Sequence, residues 1–240
     1  MHIEDRESVI ARLLQPEPLP TGFKRRHPKA YRYTPYSRKI LRRLDLYTLL
    51  VFDLWIHIEW DRKISKFNER VQKLMIPGDA GQFLNLTPAI VTVDENEKIC
   101  IHVLSGGIED ITARSLYTVD SNQLPYVTAF AKNYRLEVAT WTPEKIYANP
   151  FELDGWKQLL RYFSGPDLIV QPALRDKVAT LLKRTRKTTI TALLESLPDE
   201  DPDWVMRALA VMLQDGLVHA DFGQFQLGYA TEISIFHEFA

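Results

Sequence analysis

The sequence has one cysteine, Cys100, among its 240 residues. A single thiol excludes an internal disulfide framework and a zinc site made of several cysteines. The sequence also lacks a run of about 18 apolar residues, so no transmembrane helix is expected. Residues 1–20 are polar and acidic, without the apolar core of a signal peptide. These absences predict a cytoplasmic protein.

Short motifs of common enzyme classes are missing as well. The turn Ser105-Gly106-Gly107 has no lysine of the kind that a phosphate-binding loop requires, and no nucleophile-elbow motif surrounds any serine. Cys100 and His102 share one face of a predicted strand, but zinc requires about four nitrogen or sulfur ligands. The other histidines show no ligand spacing, so we expect this pair to be packed or hydrogen-bonded.

Positive charge is unevenly distributed, although the net charge of the chain is −1. No acidic residue occurs from Thr21 to Leu44, and four aromatic residues are interleaved with the basic ones. The basic residues of this stretch are Lys24, Arg25, Arg26, Lys29, Arg32, Arg38, Lys39, Arg42 and Arg43. Such a mixture favours a nucleic-acid phosphate backbone. The alternative is a solvated arm that packs on the protein's own acidic surface.

The periodicity of the first two thirds of the chain predicts a small mixed sheet flanked by helices, an α/β arrangement. Ile40 to Leu54 has the spacing of an amphipathic helix, and Ile56 to Trp60 alternates like a strand. Further strands are predicted at 83–93, with a break at Pro88, at 99–104 and at 136–141. A mainly helical segment is predicted at 115–134, and Thr142-Pro143-Glu144 is typical of a helix start.

The last third predicts helix, helix, turn, helix and hairpin, the order of a winged helix-turn-helix domain. The first of these helices is expected to end in Lys183, Arg184, Arg186 and Lys187. Thr189 and Pro202 then begin the next two helices, Gly216 ends the third, and residues 217–227 form the hairpin. With a boundary at Ser164-Gly165-Pro166, the predicted domains are an arm (1–30), a nuclease-like domain (31–165) and a winged-helix domain (166–240).

The predicted third helix is poorly suited to base reading, which usually uses several basic or amide side chains. It offers only Arg207 and Gln214. The acidic residues around it are Glu195, Asp199, Glu200, Asp201, Asp203, Asp215 and Asp221. We therefore expect this face to dock a protein, while the basic segment before it remains available for DNA.

Four stretches of the chain resemble the TnsA family, the endonuclease subunit of heteromeric transposases. Phe52-Asp53 follows an apolar helix where the family has "LLEFDP". Thr87-Pro88-Ala89, and then Ile101-His102-Val103-Leu104, stand where the family has "TPDF" and "EVK". Residues 149–163 resemble the segment that closes the nuclease domain, and residues 188–233 resemble the family's winged helix. The resemblance covers most of the chain beyond about Tyr31.

The resemblance implies a restriction-endonuclease-like fold with a PD-(D/E)xK core, in which carboxylates bind Mg²⁺ and a lysine helps to polarise water. This sequence departs at each of those positions. Arg43 falls at the helix glutamate, Ala89 at the metal aspartate, His102 at the second acid and Leu104 at the lysine. We therefore expect no catalytic residue, no bound metal and no cofactor, on a retained nuclease fold.

Three functions remain open from the sequence. The first is a non-catalytic TnsA-like subunit that binds DNA, a TnsB-like transposase and a TnsC-like AAA+ ATPase at the bacterial nucleoid. The second is an active Mg²⁺-dependent endonuclease whose site has moved to nearby acids such as Glu95 or Glu109, or to Asp45 with Asp53 or Glu59. The third is a winged-helix DNA-binding regulator.

Overall fold

The computed structural model describes residues 5–16, 32–106, 117–163, 172–222 and 225–236. Packing divides the chain into two units. Unit 1 comprises Met1–Glu59 and Lys63–Ala148, and unit 2 comprises Trp60–Arg62 and Asn149–Ala240. This division falls earlier than the change after residue 165 that the sequence predicted. The Ser164-Gly165-Pro166 segment lies outside the described residues.

The described elements up to residue 148 include eight strands and four helices. In chain order they are α1 (Arg6–Leu14), β1 (Tyr36–Ser37), β2 (Arg42–Arg43), α2 (Leu49–Trp60), β3 (Ile64–Asn68), β4 (Leu74–Pro77), a 3-10 turn (Asp79–Gly81), β5 (Phe83–Leu86), β6 (Ile90–Asp94), β7 (Ile99–Leu104), α3 (Leu124–Asn133), β8 (Glu137–Trp141) and α4 (Pro143–Ile146). Within the described part of the chain, no helix combines the length and apolar character needed to cross a membrane.

The centre of unit 1 is a four-stranded mixed sheet with the strand order β3-β6-β7-β8. The first three strands are antiparallel. β7 and β8 run parallel, which requires a long crossover connection, and α3 lies within that connection. The predicted class, a mixed sheet flanked by helices, is confirmed. Two small hairpins, β1–β2 and β4–β5, lie outside this sheet.

One side of the sheet carries the hydrophobic core of unit 1. Ile101 and Val103 of β7 are fully buried there, together with Val127 of α3. Helix α1 contributes Val9 and Leu13, both 0% exposed, so this part of the predicted N-terminal arm is integral to the core. Burial of each large aliphatic side chain stabilises the fold by about 1.5–3 kcal/mol.

Helix α2 overturns two predictions. Ile40 lies in the turn of the β1–β2 hairpin, where Tyr36 pairs with Arg43, and the stretch Ile56 to Trp60, predicted as a strand, is the end of the helix. The reason is that residues 49–60 are apolar almost all round and buried on nearly every face. A fully buried helix has no polar stripe, so alternation over five residues does not distinguish it from a strand.

Several other local predictions are confirmed. The region 83–93 forms β5 and β6 with a break at Pro88, and β7 and β8 lie within a residue of their expected bounds. The Thr142 hydroxyl accepts the Lys145 amide hydrogen and caps α4. The described helix in the segment 115–134 begins only at Leu124, because Pro125 favours the first turn of a helix.

Unit 2 contains α5 (Pro150–Leu159), a 3-10 turn (Leu160–Phe163), α6 (Pro172–Thr185), β9 (Lys187–Thr189), α7 (Ile190–Glu195), α8 (Pro202–Gln214), β10 (Val218–Ala220) and β11 (Glu232–Ile235). The strands form an antiparallel sheet with the order β10-β11-β9. Thr189 caps α7 and Pro202 lies in the first turn of α8, as predicted. Gly216, with φ of 73°, ends α8 as expected.

The hairpin of unit 2 differs from its prediction. The return strand is Glu232–Ile235, not residues 225–227. Residues 228–231 form a turn before it, in which the Gly228 amide donates to the Thr231 hydroxyl and the Thr231 amide donates to the Gly228 carbonyl. The third strand, β9, was not predicted because three residues show no periodicity. The predicted first helix ends at Thr185, so Arg186 and Lys187 lie beyond it.

Candidate functional site

Three of the positions singled out by the resemblance lie together on β6 and β7. The amide of Ala89, directly before β6, donates to the carbonyl of His102 across the hairpin at 2.9 Å. Leu104 lies two residues further along β7 and therefore on the same face as His102. Ala89 and Leu104 are each 0% exposed. The structure thus brings together the strand positions, but as a buried and largely apolar group.

Arg43 does not join them on a helix. It lies on β2, exposed, in a hairpin that precedes the first residue of α2. The prediction that Arg43 lies on the helix is therefore wrong, because α2 begins only at Leu49. The acidic residues of α2 are Asp53 and Glu59, which are 1% and 2% exposed.

His102 is held by two hydrogen bonds that define its tautomer. The Trp141 indole Nε1–H donates to His102 Nδ1 at 2.9 Å. An indole nitrogen is only a donor, so Nδ1 carries no proton. The remaining proton is on Nε2, which lies 2.9 Å from Thr92 Oγ1 and donates to it. The expectation that His102 is hydrogen-bonded is confirmed, and neither ring nitrogen has a lone pair directed at a vacant ligand position.

Burial reinforces the neutral state of this ring. Burial, and to a smaller extent the positive charge of Lys145, lower the pKa of His102 from 6.5 to about 4. If Nδ1 were protonated, its N–H would face the N–H of the Trp141 indole, and the hydrogen bond between them would be lost. His102 therefore does not serve as the anionic ligand that a metal-dependent nuclease has at this position.

Aromatic rings occupy the space beside His102. The Trp141 ring lies 6.1 Å from that of His102 and 5.6 Å from that of His57 on α2. His57 Nε2 is 2.8 Å from the Ile146 carbonyl oxygen, and Lys145 Nζ lies 4.3 Å from the centre of the Trp141 ring. We call these residues, His57, Thr92, His102, Trp141 and Lys145, the histidine–tryptophan cluster. Its chemistry is hydrogen bonding and stacking.

Sequence reasoning missed Trp141 and Thr92. The available signal for Thr92 was the hairpin turn, which pairs residue 92 with residue 100 and so places it diagonally from His102. Trp141 had no comparable local signal, because its neighbour lies 39 positions away and across a parallel strand pair. Such a contact is established only by the tertiary structure.

Cys100 lies on the same strand as a protonated thiol. Burial, and next the negative charge of Glu137, raise the pKa of Cys100 to about 12. Among the described residues there is no group of three or more His, Cys, Asp or Glu side chains arranged to hold a metal ion. The described part of the molecule therefore does not bring Cys100 and His102 into a zinc-ligand set.

The acids that offered an alternative catalytic site lie in other environments. Asp94 Oδ1 accepts the Asn96 and Lys98 amide hydrogens, each at 2.8 Å, and so shapes the turn. The carboxylate of Glu59 accepts from the Ser37 hydroxyl at 2.6 Å and the Arg38 amide at 3.0 Å. Glu95 and Glu97 are exposed, whereas Glu109 and Asp110 lie outside the described residues.

A buried ion pair joins the β1–β2 hairpin to the end of β3. Arg42 donates two parallel hydrogen bonds to Glu69, at 2.7 and 2.6 Å, and the Glu69 side chain is 0% exposed. Arg42 belongs to the basic stretch for which the sequence favoured a nucleic-acid phosphate backbone. Its fork geometry instead matches the carboxylate, which is the arrangement that makes buried pairs favourable.

The predicted DNA-binding residues of the first half fall into two groups, those outside the described residues and those that contact the protein itself. Lys24, Arg25, Arg26 and Lys29 lie outside the described residues. Arg32 Nε donates to Asp45 at 2.6 Å, and Lys39 Nζ donates to the Ile64 carbonyl at 2.5 Å. Arg38 is partly buried beside Glu59. The described end of this basic stretch is therefore engaged with the protein itself.

The predicted DNA-binding residues of unit 2 are at the surface. Lys183 and Arg184 lie in the last turn of α6, Arg186 follows it, and Lys187 begins β9; all four are exposed. Lys187 Nζ pairs with Glu232 at 2.5 Å. Helix α8 differs, because from Val205 to Gln214 every residue except Arg207 is buried.

Comparisons with known proteins identify no family for this chain. No protein-family model matches the sequence. No curated protein matches it either.

Proposed function

We propose that this chain is a non-catalytic, TnsA-like subunit of a DNA transposition complex, which binds DNA and docks on a TnsB-like transposase and a TnsC-like AAA+ ATPase. One observation carries the proposal. Ala89, His102 and Leu104, which the resemblance aligns with the acids and the lysine of a PD-(D/E)xK nuclease, are all buried. His102 is neutral and hydrogen-bonded on both sides.

The order of elements in unit 1 supports a nuclease-derived scaffold. Helix α2 precedes three antiparallel strands, and α3 then leads to the parallel strand β8. A restriction-endonuclease-like domain requires such a mixed sheet, with the site at the end of its central hairpin. Beside the hairpin β6–β7, the backbone of Ala89 contacts that of His102 through one hydrogen bond, so two of the positions named by the resemblance are neighbours in the fold.

The chemistry of this position accounts for the loss of cleavage. Mg²⁺ binds through carboxylate oxygens and retained waters, and phosphodiester hydrolysis uses it to activate water and stabilise charge. A methyl group, a neutral imidazole and a leucine provide neither the charge nor the oxygen ligands. The histidine–tryptophan cluster fills the same region with rings that bind one another.

Unit 2 supports a binding role. Three helices, α6 to α8, are followed by the β10–β11 pair, of which β11 also pairs with β9, an arrangement in keeping with a winged helix. Helix α8, which would be the recognition helix, packs on α6, β10 and the 3-10 turn Leu160–Phe163 and exposes mainly its first turn. Its exposed residues include Asp203 and Trp204, which suits a protein surface better than a phosphate backbone.

A cleavage assay with the assembled complex tests this proposal. The full chain is incubated with transposon-end DNA and Mg²⁺ or Mn²⁺, with and without the transposase and ATPase encoded beside it. Complex formation is followed by co-elution. We expect co-elution without nicking by this subunit. Stable co-elution also shows that the protein is folded and competent.

Two outcomes would contradict the proposal. Metal-dependent nicking at the 5′ ends that disappears in the Glu95→Ala/Glu97→Ala double variant would establish a relocated active site. Asn96→Ala in the same exposed turn is the matched control for that variant. Failure of the chain to join either partner, with no DNA binding, would remove the transposition complex as its setting.

A further inference from the structure

Unit 2 has four exposed basic residues close together in the sequence, at the end of α6 and the start of β9, and an exposed aromatic ring at Tyr229. We define the α6–β9 surface by Lys183, Arg184, Arg186, Lys187 and Tyr229. Tyr229 is 70% exposed, and its carbonyl accepts from the amide and the hydroxyl of Thr191 at 2.9 and 3.0 Å. β9 leads directly into the helix of Thr191, and β11 pairs with β9, so the backbone of Tyr229 is tied to the helix that follows the basic residues.

The two ends of α6 differ in how their charges are compensated. At its start, Arg175 pairs with Asp215 at 3.2 Å and Lys177 with Glu200 at 2.5 Å. At its end, Lys183, Arg184 and Arg186 form no salt bridge with any carboxylate of the described residues. Positive potential is therefore concentrated at the end of the helix, where an external anion can approach.

A purely structural role explains only part of this cluster. Basic residues in a last helical turn interact favourably with the helix dipole, which accounts for Lys183 and Arg184. Arg186 and Lys187 lie after the helix has ended. The charge of Lys187 is partly neutralised by the ion pair with Glu232. Arg186 lies past the end of the helix and forms no ion pair with a carboxylate of the described residues.

The backbone at Arg186 adds an independent observation. Its φ is 62°, in the left-handed region that glycine adopts without cost and other residues adopt at a penalty. Its amide closes the helix by donating to the Leu182 carbonyl at 2.8 Å, a position usually filled by glycine. An arginine here costs backbone energy, and its side chain takes part in no ion pair among the described residues, which favours a role for that side chain in binding.

We propose that unit 2 binds the phosphate backbone of duplex DNA through the α6–β9 surface, without reading sequence, and that α8 does not enter the DNA groove. The inference rests on the DNA-binding role proposed above and specifies its site. Guanidinium and ammonium groups bind phosphates and release counterions. Tyr229 adds a donor to the sugar–phosphate backbone. Helix α8 is buried from Val205 to Gln214 except at Arg207, and its first turn is acidic. It therefore does not insert into the major groove to contact bases.

Fluorescence anisotropy of the full chain on labelled duplexes of unrelated sequence tests the inference. The test variant is Lys183→Ala/Arg184→Ala/Arg186→Ala. The matched control is Arg175→Ala/Lys177→Ala, which removes two charges of the same helix that are already paired. We expect the test variant to weaken binding about tenfold or more, and the slope of log affinity against log salt to fall by about 2–3. The control should stay within about twofold of the wild type.

Arg186→Gly separates function from folding. Because glycine accepts the positive φ, thermal stability should stay the same or rise, while DNA affinity falls on every duplex alike. Arg207→Ala, on α8, should leave affinity unchanged. Equal affinity of wild type and test variant, or a sequence-dependent loss in Arg207→Ala, overturns the assignment of this surface. Absence of DNA binding by the wild-type chain instead overturns the DNA-binding role itself.

Discussion

Acidification should destabilise unit 1 through His102 more than through any exposed histidine. The pKa of this imidazole is 6.5 when the chain is unfolded and about 4 in the folded protein. Between these values the unfolded chain binds a proton that the folded chain does not. Stability is therefore complete above pH 6.5 and falls as the pH decreases towards 4.

The magnitude follows from the two pKa values. Between pH 7.5 and pH 5, proton linkage at a single site with these pKa values reduces the free energy of unfolding by about 2 kcal/mol. Carboxylates titrate in the same range, so the wild type alone does not isolate this contribution. His102→Asn keeps an acceptor near the position of Nδ1 for the Trp141 indole and removes the titration.

The assay is urea denaturation at a series of pH values, followed by far-UV circular dichroism, for the wild type, His102→Asn and His219→Asn. His219 is exposed on β10 and serves as the matched control. The wild type and His219→Asn should lose about 2 kcal/mol more than His102→Asn between pH 7.5 and pH 5. Parallel losses in all three proteins, or titration of His102 near pH 6.5 by NMR, would refute the buried neutral imidazole.

Two further predictions concern packing and charge. In unit 2, a Cβ at Gly155 would lie 2.7 Å from the Phe222 ring, so Gly155→Ala should cost about 1–3 kcal/mol in thermal or urea unfolding. Gly228→Ala, where the nearest atom is 3.9 Å away, is its control, and equal stability of both variants would contradict the packing. In unit 1, Glu69→Gln removes the buried partner of Arg42 and should cost about 3 kcal/mol. An unchanged unfolding midpoint would show that the pair contributes nothing.

Local patterns in the sequence predicted the elements that depend on local chemistry. The alternation at 99–104 and the turn before it identified β7 and its hairpin partner, since both signals lie within about a dozen residues. Thr142 and Pro202 marked helix starts, and Gly216 marked a helix end, because caps and left-handed turns are decided by one residue and its immediate neighbours.

Local patterns did not predict helix α2 correctly. Its twelve residues are buried on nearly all sides, so the polar stripe that reveals a helix is missing, and Ile56, Ile58 and Trp60 imitate a strand. Only packing against the rest of unit 1 distinguishes the two conformations. The same holds for β9, whose strand conformation depends on its pairing with β11.

For the candidate site, the sequence by itself determined which residue types are missing: alanine, histidine and leucine cannot hold Mg²⁺ in any conformation. Only the tertiary structure decided what those residues do instead. Trp141 reaches His102 across a parallel strand pair, and Arg42 reaches a buried Glu69. Such contacts join positions far apart in the chain, and their energies depend on burial and hydrogen-bond geometry, which no local pattern encodes.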